Sequence, residues 1–212
     1  MPPDAEFGNV SIKTDAGTIS AGGFKAENAD IGSSFGAVDV FDVTSDKLKL
    51  DLAAGRFKAE NLQVGTLEYK NDFGSTEMKD INAKTLRATV SSGEFTLNGC
   101  ETEDITVKSS FGKINLNNIV SSGTDVTASS GQITVSGNFS GYTKIDSDFG
   151  KISFTTSRPK DDYSYNIYTS FGKVSVDNET YRGDSSVIGG NSGDRLSIHA
   201  SSGDIDVYFN KG

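Results

Sequence analysis

Few side chains in this sequence are of the kind that do chemistry, and their spacing argues against most of the chemistry open to them. His199 is the only histidine. It lies between Ile198 and Ala200 in an alternating run, so on a strand it points away from the apolar face, as an ordinary surface residue rather than a general base. Cys100 is the only cysteine. It cannot close an internal disulfide, it leaves the redox compartment open, and it falls in an apolar column where a small buried hydrophobe is expected rather than a reactive thiol. Ser and Asp are plentiful enough for a Ser-His-Asp triad to be named, yet no nucleophile-elbow pattern supports one. Paired carboxylates deserve more weight, because enzymes that cleave polysaccharides use β-helices with acids clustered on one face. Asp146 and Asp148 lie two apart on one strand, and Asp204 and Asp206 repeat that spacing. All four are expected to project outward, the usual place of solvated acids. Calcium-binding β-rolls need tandem Gly-Gly-x-Gly-x-Asp nonapeptides and ice-binding solenoids need Thr-x-Thr ladders; neither pattern occurs. The residues therefore point to no catalytic group, no metal site and no cofactor.

The elements that would position any site follow from composition. A chain of 212 residues with 34% hydrophobic residues can form one sizeable domain with a real core. Gly is high at 24, Pro low at 3 and Trp absent, a turn-and-strand composition that disfavours helices. The net charge of −9 removes the electrostatic term that drives phosphate-backbone binding, so nucleic acid is not an expected partner. The charge is uneven: residues 1–106 carry 10 Lys/Arg and 18 Asp/Glu, whereas residues 107–212 carry 10 and 11. A cationic partner should prefer the first half. No signal peptide, lipobox or membrane-spanning run is present, and Met-Pro-Pro running directly into repeat sequence suggests a piece of something longer.

The dominant signal is a repeat. A Ser/Asp-small/Phe-Gly-x-Ile/Val/Phe-x-aliphatic motif places glycine at 17, 36, 55, 74, 93, 112, 131 and 150, a spacing of 19 residues. It continues at Gly172 after 22 residues and at Gly203 after 31, so two insertions break the period, near 157–163 and 177–194. Counting from each glycine, the second position holds residues such as Ile114, Ile133 and Ile152, and the fourth holds Leu97, Leu116 and Val135. The seventh (Leu62, Ile81, Cys100, Ile119) and fourteenth (Leu50, Val107, Ile145) are apolar as well. Alternation of this kind predicts short strands with one buried face, and Asn98-Gly99, Asn117-Asn118 and Ser136-Gly137 read as turns between them.

A 19-residue unit with about three short strands cannot bury its own inner face, so it must stack on its neighbours. The expected fold is all-β: a single parallel β-solenoid, or β-helix, over residues 1–212, with 19-residue coils, about ten of them, right-handed by the general preference of parallel crossovers. The residue before the glycine alternates Ala16, Phe35, Ala54, Phe73, Ser92, Phe111, Ser130, Phe149, and the position two earlier compensates, with Ser33, Asn71, Ser109 and Ser147 accompanying Phe and Leu52, Val90 and Ala128 accompanying the small residue. With 19-residue coils, each Phe is expected to fill space over a small residue of the adjacent coils at near-constant packing density. A 38-residue coil with Phe stacked on Phe is the alternative.

Candidate partner-binding residues fall in two groups. Outward acids of the first half, among them Asp39, Asp51, Glu68 and Glu77, could attract a cationic peptide through weak, multivalent, salt-sensitive contacts. The insertions contribute Arg158, Asp161 and Tyr163 in the first, and Tyr181 and Arg182 in the second, which also holds Gly189-Gly190-Asn191-Ser192-Gly193. Lys113, Lys151 and Lys173 each follow a Phe-Gly and should form a modest basic stripe. The solenoid ends would expose strand edges, so the amino end near Val10 to Ile12 is expected to be capped by further sequence or by self-association, while Val207 to Phe209 should close the carboxyl end with their aromatics.

The Ser-Ser-Phe-Gly-Lys-Ile/Val and Ala-Ser-Ser-Gly-Asp/Gln-Ile-x-Val strings, ending in Ala200-Ser201-Ser202-Gly203-Asp204-Ile205-Asp206-Val207, resemble a bacterial adhesin-like β-solenoid domain family of unknown biochemical activity. That family occurs in Gram-positive envelope-stress proteins of the LiaG and LiaX type, associated with responses to cell-wall antibiotics and cationic antimicrobial peptides. The resemblance implies a non-enzymatic, extracytoplasmic or cell-surface interaction domain whose partner is a protein or envelope component. It supplies no active-site residue. The alternative is a carbohydrate-active enzyme, a lyase or hydrolase on a β-helix, which would gather its acids in a groove with aromatic platforms.

Overall fold

The computed structural model describes residues 5–177, 179–182 and 185–210. β1 (Ala5–Pro159) is a succession of short extended segments joined at corners where φ turns positive; a 3₁₀ turn (Lys160–Asp162) leads to β2 (Tyr163–Phe171), β3 (Lys173–Val176), β4 (Glu179–Arg182), β5 (Ser185–Gly189), β6 (Asp194–Ser202) and β7 (Ile205–Asn210). The architecture is an all-β solenoid whose coils stack through parallel pairing.

The corners explain the repeat. Gly17 to Gly150 hold φ between +116° and +138°, where a side chain is strained. From Gly36 to Gly150 each also lies directly against the glycine 19 residues before it: a Cβ on Gly112 would sit 1.9 Å from the Gly93 carbonyl oxygen. A second corner, six residues on, is built by Asp42, Asn61, Asp80 and Asn118 at φ of +53° to +56°, the left-handed region that short polar side chains tolerate. There Asn61 Nδ2 donates to Asp42 Oδ1 of the preceding repeat at 3.0 Å. A third turn is pinned by hydroxyls: Ser45, Thr102 and Ser121 each donate to a carbonyl two residues ahead, at 2.8, 3.0 and 2.8 Å.

Between corners the alternating residues face inward. Ile114, Leu116, Ile119 and Val126 are fully buried, as are Ile133, Val135, Ile152 and Phe154 in the next repeats, so the second, fourth, seventh and fourteenth columns form the continuous core. At about 25 cal/mol per Å² of apolar surface, this axial stack supplies the fold's main stabilisation, with no disulfide to assist it. The core is not wholly apolar. Thr76 stands in the second column and accepts from Asn71 Nδ2 at 3.2 Å while bonding Tyr69 Oη.

Three expectations are corrected. First, the Phe column does not fill the core. Phe35, Phe73, Phe111 and Phe149 are 61–63% exposed, whereas the partner column two residues earlier is buried whether polar (Ser33, Asn71, Ser109, Ser147) or apolar (Leu52, Val90, Ala128). Two residues separate the columns across the start of a corner, where in-out alternation no longer holds. The buried hydroxyl bonds the corner instead, as when Ser33 Oγ donates to the Phe35 carbonyl at 3.1 Å.

Second, the last two motif copies do not stack in chain order. Strand order in the sheet is β4-β3-β7-β1-β6-β2-β5. β6 pairs in parallel with β1 (Ile145 with Ile198) and with β2 (Ile167 with Ile198), and β7 likewise lies between β1 and β3. The segment latest in chain order is therefore the inner one: Gly203 stacks on Gly150, and Gly172 stacks on Gly203.

Third, Val207 to Phe209 do not close the carboxyl end of the rod. Val207 and Phe209 are buried inside, with Phe209 packed on Tyr163 and Tyr165 at centroid distances of 5.6 and 5.7 Å. The outer edge is covered by β4 and β5, which run antiparallel to β3 and β2. Reversing direction there ends the parallel template that an open last coil would present. At the other end Val10 is buried, Ile12 packs against the core, and Phe7 meets Phe24 edge-on at 6.4 Å.

Candidate functional site

The outward faces carry the acids in rows, and the rows are cross-tied. Lysines and carboxylates of adjacent repeats pair along the rod: Lys25 with Glu6 at 3.4 Å, Lys47 with Glu68 at 3.1 Å, Lys58 with Glu77 at 3.2 Å and Lys79 with Glu60 at 2.9 Å. The stacking of repeats causes this, because residues 19 apart stand one strand spacing away, and the Lys47–Glu68 pair reaches two residues further along the adjacent strand. Such solvent-exposed pairs contribute little to stability individually. Glu68 and Glu77 are thus already partnered. Asp39 is half-buried, with one carboxylate oxygen shielded and unbonded, beside a depression of about 380 Å³ lined also by Phe41, Arg56, Glu77 and Lys79. Asp51 stands apart from it, near Lys13, whose pKa is raised chiefly by its hydrogen bond to Asp30 and further by Asp51. The four acids form a strip of mixed charge rather than one convergent cluster.

The two insertions separate into a latch and a cap. Arg158 bonds Asp162 at 3.0 Å, Asp194, and the Phe139 carbonyl at 3.0 Å, with its guanidinium 5.5 Å from the Tyr163 ring. Burial alone would lower its pKa, but Asp194 and Asp162 outweigh that and raise it. Tyr163 is buried, and its hydroxyl donates to the Phe139 carbonyl at 2.7 Å. Asp194 also accepts from the Gly141 amide at 2.8 Å, so this cluster fixes the start of β6 between its neighbours. Asp161 is exposed on the 3₁₀ turn, and Tyr181 and Arg182 lie on cap strand β4, where Tyr181 Oη donates to Glu179 at 2.7 Å. Arg158 and Tyr163 hold the fold; they are not brought together with Tyr181 and Arg182.

His199 projects outward and stacks on Tyr168 at 5.2 Å. Cys100 is 4% exposed, and burial, with Glu101 nearby, pushes its thiol pKa up to about 12. Asp146 is held by Lys144 at 2.6 Å and Asp148 is exposed. Asp206, expected outward and solvated, is 8% exposed instead, because β7 is flanked by β1 and β3 and Lys151 closes over it at 2.7 Å. Lys173 similarly faces Asp204 at 3.8 Å, so the basic stripe is largely neutralised. The displaced lysines, Arg158, Tyr69, Tyr163, Tyr181 and Cys100 all move upward, away from neutral pH. Among the described residues no group of three or more His, Cys, Asp or Glu could hold a metal ion, and no helix is long and apolar enough to cross a membrane.

The surface feature that sequence reasoning missed is the exposed phenylalanine row. Its signal was present in the alternation itself: a column of large and small residues in strict turn packs poorly inside a core that is otherwise uniform.

A family model described as Toastrack DUF4097 matches residues 45–208. No curated protein and no solved structure matches the chain.

Proposed function

The chain belongs to the Toastrack DUF4097 family, and on that premise we propose that it is a non-enzymatic, adhesin-like interaction domain. It works outside the cytoplasm at the cell surface, in the envelope-stress or antimicrobial-peptide response of the LiaG and LiaX type. The rod in this reading has about ten coils of 19 residues wound right-handed; the stacking of repeat glycines 19 apart supports that coil length.

What carries the reading is the disposition of the acids. They are spread along the outward columns and tied to lysines of neighbouring repeats, as in the Lys47–Glu68 and Lys58–Glu77 pairs, rather than gathered around one reacting position. Such a strip suits a long, multivalent ligand that exchanges one set of exposed ion pairs for another, each worth little alone and screened over about 8 Å at physiological ionic strength.

The test is a titration of the intact domain with a cationic amphipathic peptide at low salt. Asp39→Lys, Asp51→Lys, Glu68→Lys and Glu77→Lys introduced together should weaken binding by about tenfold or more and flatten its salt dependence. Unchanged binding after that reversal rejects the acidic strip as the contact.

A further inference from the structure

The exposed phenylalanines keep a stricter rule than chain order does. Along the rod the residue before each repeat glycine reads Ala16, Phe35, Ala54, Phe73, Ser92, Phe111, Ser130, Phe149, Ser202, Phe171, because Ser202 pairs with both Phe149 and Phe171. In chain order Phe149 and Phe171 would be neighbours and the alternation would fail. Inserting β6 between β1 and β2 restores it through the last coil. From Ser33 onward the buried column beneath also alternates, polar under Phe and apolar under the small residue, and also continues correctly as Ser147, Ala200, Thr169. Core packing does not require this of the outer column, since the five rings are 61–76% exposed.

Exposure of that kind on a monomer is unusual. At about 150–250 Å² per aromatic side chain the row presents roughly 500–800 Å² of apolar surface on a single corner, where monomers rarely expose contiguous patches above a few hundred Å². A standard interface uses about 800 Å² per partner. The rings stand about 9–10 Å apart, twice the strand spacing, with a small residue in each gap.

We propose that this corner is a self-association surface on which a second copy of the chain docks antiparallel, each Phe seated in the gap between two Phe of its partner. The number of coils makes the match. Counting from the Gly17 coil as the first to the Gly172 coil as the tenth, Phe occupies the even coils and the small residue the odd ones. A two-fold axis at mid-rod brings the first coil against the tenth and the second against the ninth, so every even coil meets an odd one. A parallel pairing in register would set Phe on Phe. The same axis brings Lys113 of the sixth coil against Glu94 of the fifth, once on each side of the axis. It also brings Lys151 against Arg56, where Lys151 is already held by Asp206 at 2.7 Å. The contact is isologous and closes as a dimer. It uses a different row from the acids and does not depend on peptide binding.

The experiment is sedimentation velocity on the intact chain over a concentration series, with two sets of variants, at the exposed phenylalanines and at the half-buried serines between them, and with circular dichroism to check the fold. Wild type should form a dimer. Phe73→Ser, Phe111→Ser and Phe149→Ser together should weaken it by about a hundredfold, the scale on which loss of several aromatic anchors acts. Ser92→Phe with Ser130→Phe fills the gaps and should also drive the protein to monomer, although it adds apolar surface. Tighter association of that gap-filled variant would overturn interdigitation, as it would mean indiscriminate apolar contact. A wild type that stays monomeric at its highest soluble concentration would overturn the proposal outright. Retention of that monomer on an insoluble β-1,4-linked glycan, lost with the Phe→Ser set, would assign the row to sugar stacking instead.

Discussion

Residues 5–159 and residues 160–210 solve one problem in two ways. In the first region each repeat rests on the one before it in the chain, so register is set by a fixed 19-residue step between glycines. In the second the step is abandoned. The chain skips a position, builds β2 and β3, caps them with β4 and β5, and returns to fill the vacancy with β6 and β7. Both regions nevertheless obey the same columns: Gly203 lies between Gly150 and Gly172, and Ile198 lies between Ile145 and Ile167. The columns, not the spacing along the chain, specify where a segment belongs. The first region gains stability from repetition; the second gains an ending, because its antiparallel strands prevent further stacking while the Arg158 latch holds the inserted β6 in place.

The two regions differ most in what a glycine corner can tolerate. Gly112→Ala places a Cβ 1.9 Å from the Gly93 carbonyl oxygen at a φ of +135°, with coils packed on both sides. The loss should be about 4–5 kcal/mol or more, at the extreme of single substitutions, read by chemical denaturation. Gly172→Ala meets a similar obstruction, 2.1 Å from the Gly203 carbonyl oxygen, but in the outermost coil. It should loosen the cap in hydrogen exchange while leaving the middle of the rod protected. Equal global losses from both would show that the two regions unfold as one.

Core truncation comes next. Leu116→Ala or Ile133→Ala removes a fully buried side chain from an axial column and should cost about 2–5 kcal/mol through the cavity left behind. Arg158→Met should follow at about 1–3 kcal/mol, since it strands Asp194 and Asp162 in a partly buried cluster. Its effect should be regional, with amide protection lost across β6 and β2 before β1. Uniform loss of protection would refute the latch.

The smallest effect sharpens the view of the body alone. Burial raises the folded-state pKa of Cys100 from 9.0 to about 12. Folding therefore favours the protonated thiol, and that contribution is fully present below pH 9 and lost progressively as the pH rises from 9 towards 12. The burial that raises the Tyr69 pKa works in the same direction. Thermal melts from pH 8 to 11 should show wild type losing stability more steeply than Cys100→Ala, and parallel curves would count against a buried thiol.

The body was legible in the sequence because each inward column states its preference many times: Ile114, Ile133 and Ile152 say the same thing at successive glycines, and the turns at Gly99 and Asn118 punctuate them. Corners were harder. Two-residue alternation tells inside from outside only along a straight strand, and Phe111 sits where the strand turns, so its column was visible and its direction was not. The inserted coil was missed because spacing was followed in chain order. Placing Ser202 between Phe149 and Phe171 keeps the alternation unbroken, and that clue lay in the sequence. Of the candidate site residues, Asp161 and Arg182 are exposed and Tyr163 is buried, a difference not legible in the sequence because nothing local reveals that the Tyr163 hydroxyl reaches a carbonyl 24 residues earlier.

The inserted β6 and β7 also impose an order in time. A chain made from its amino end can stack repeats as far as Phe154 while it lengthens, each new segment closing a short loop onto the last. The next segment synthesised, Ser170-Phe171-Gly172-Lys173-Val174, closely matches the Asp148-Phe149-Gly150-Lys151-Ile152 beneath it and meets a vacant edge that fits it. Its final place is one coil further out, beyond a segment that does not yet exist. Residues 194–207, which hold the place directly on that edge in the finished fold, are made after the segment that ends up outside them, so the order of stacking cannot be the order of synthesis.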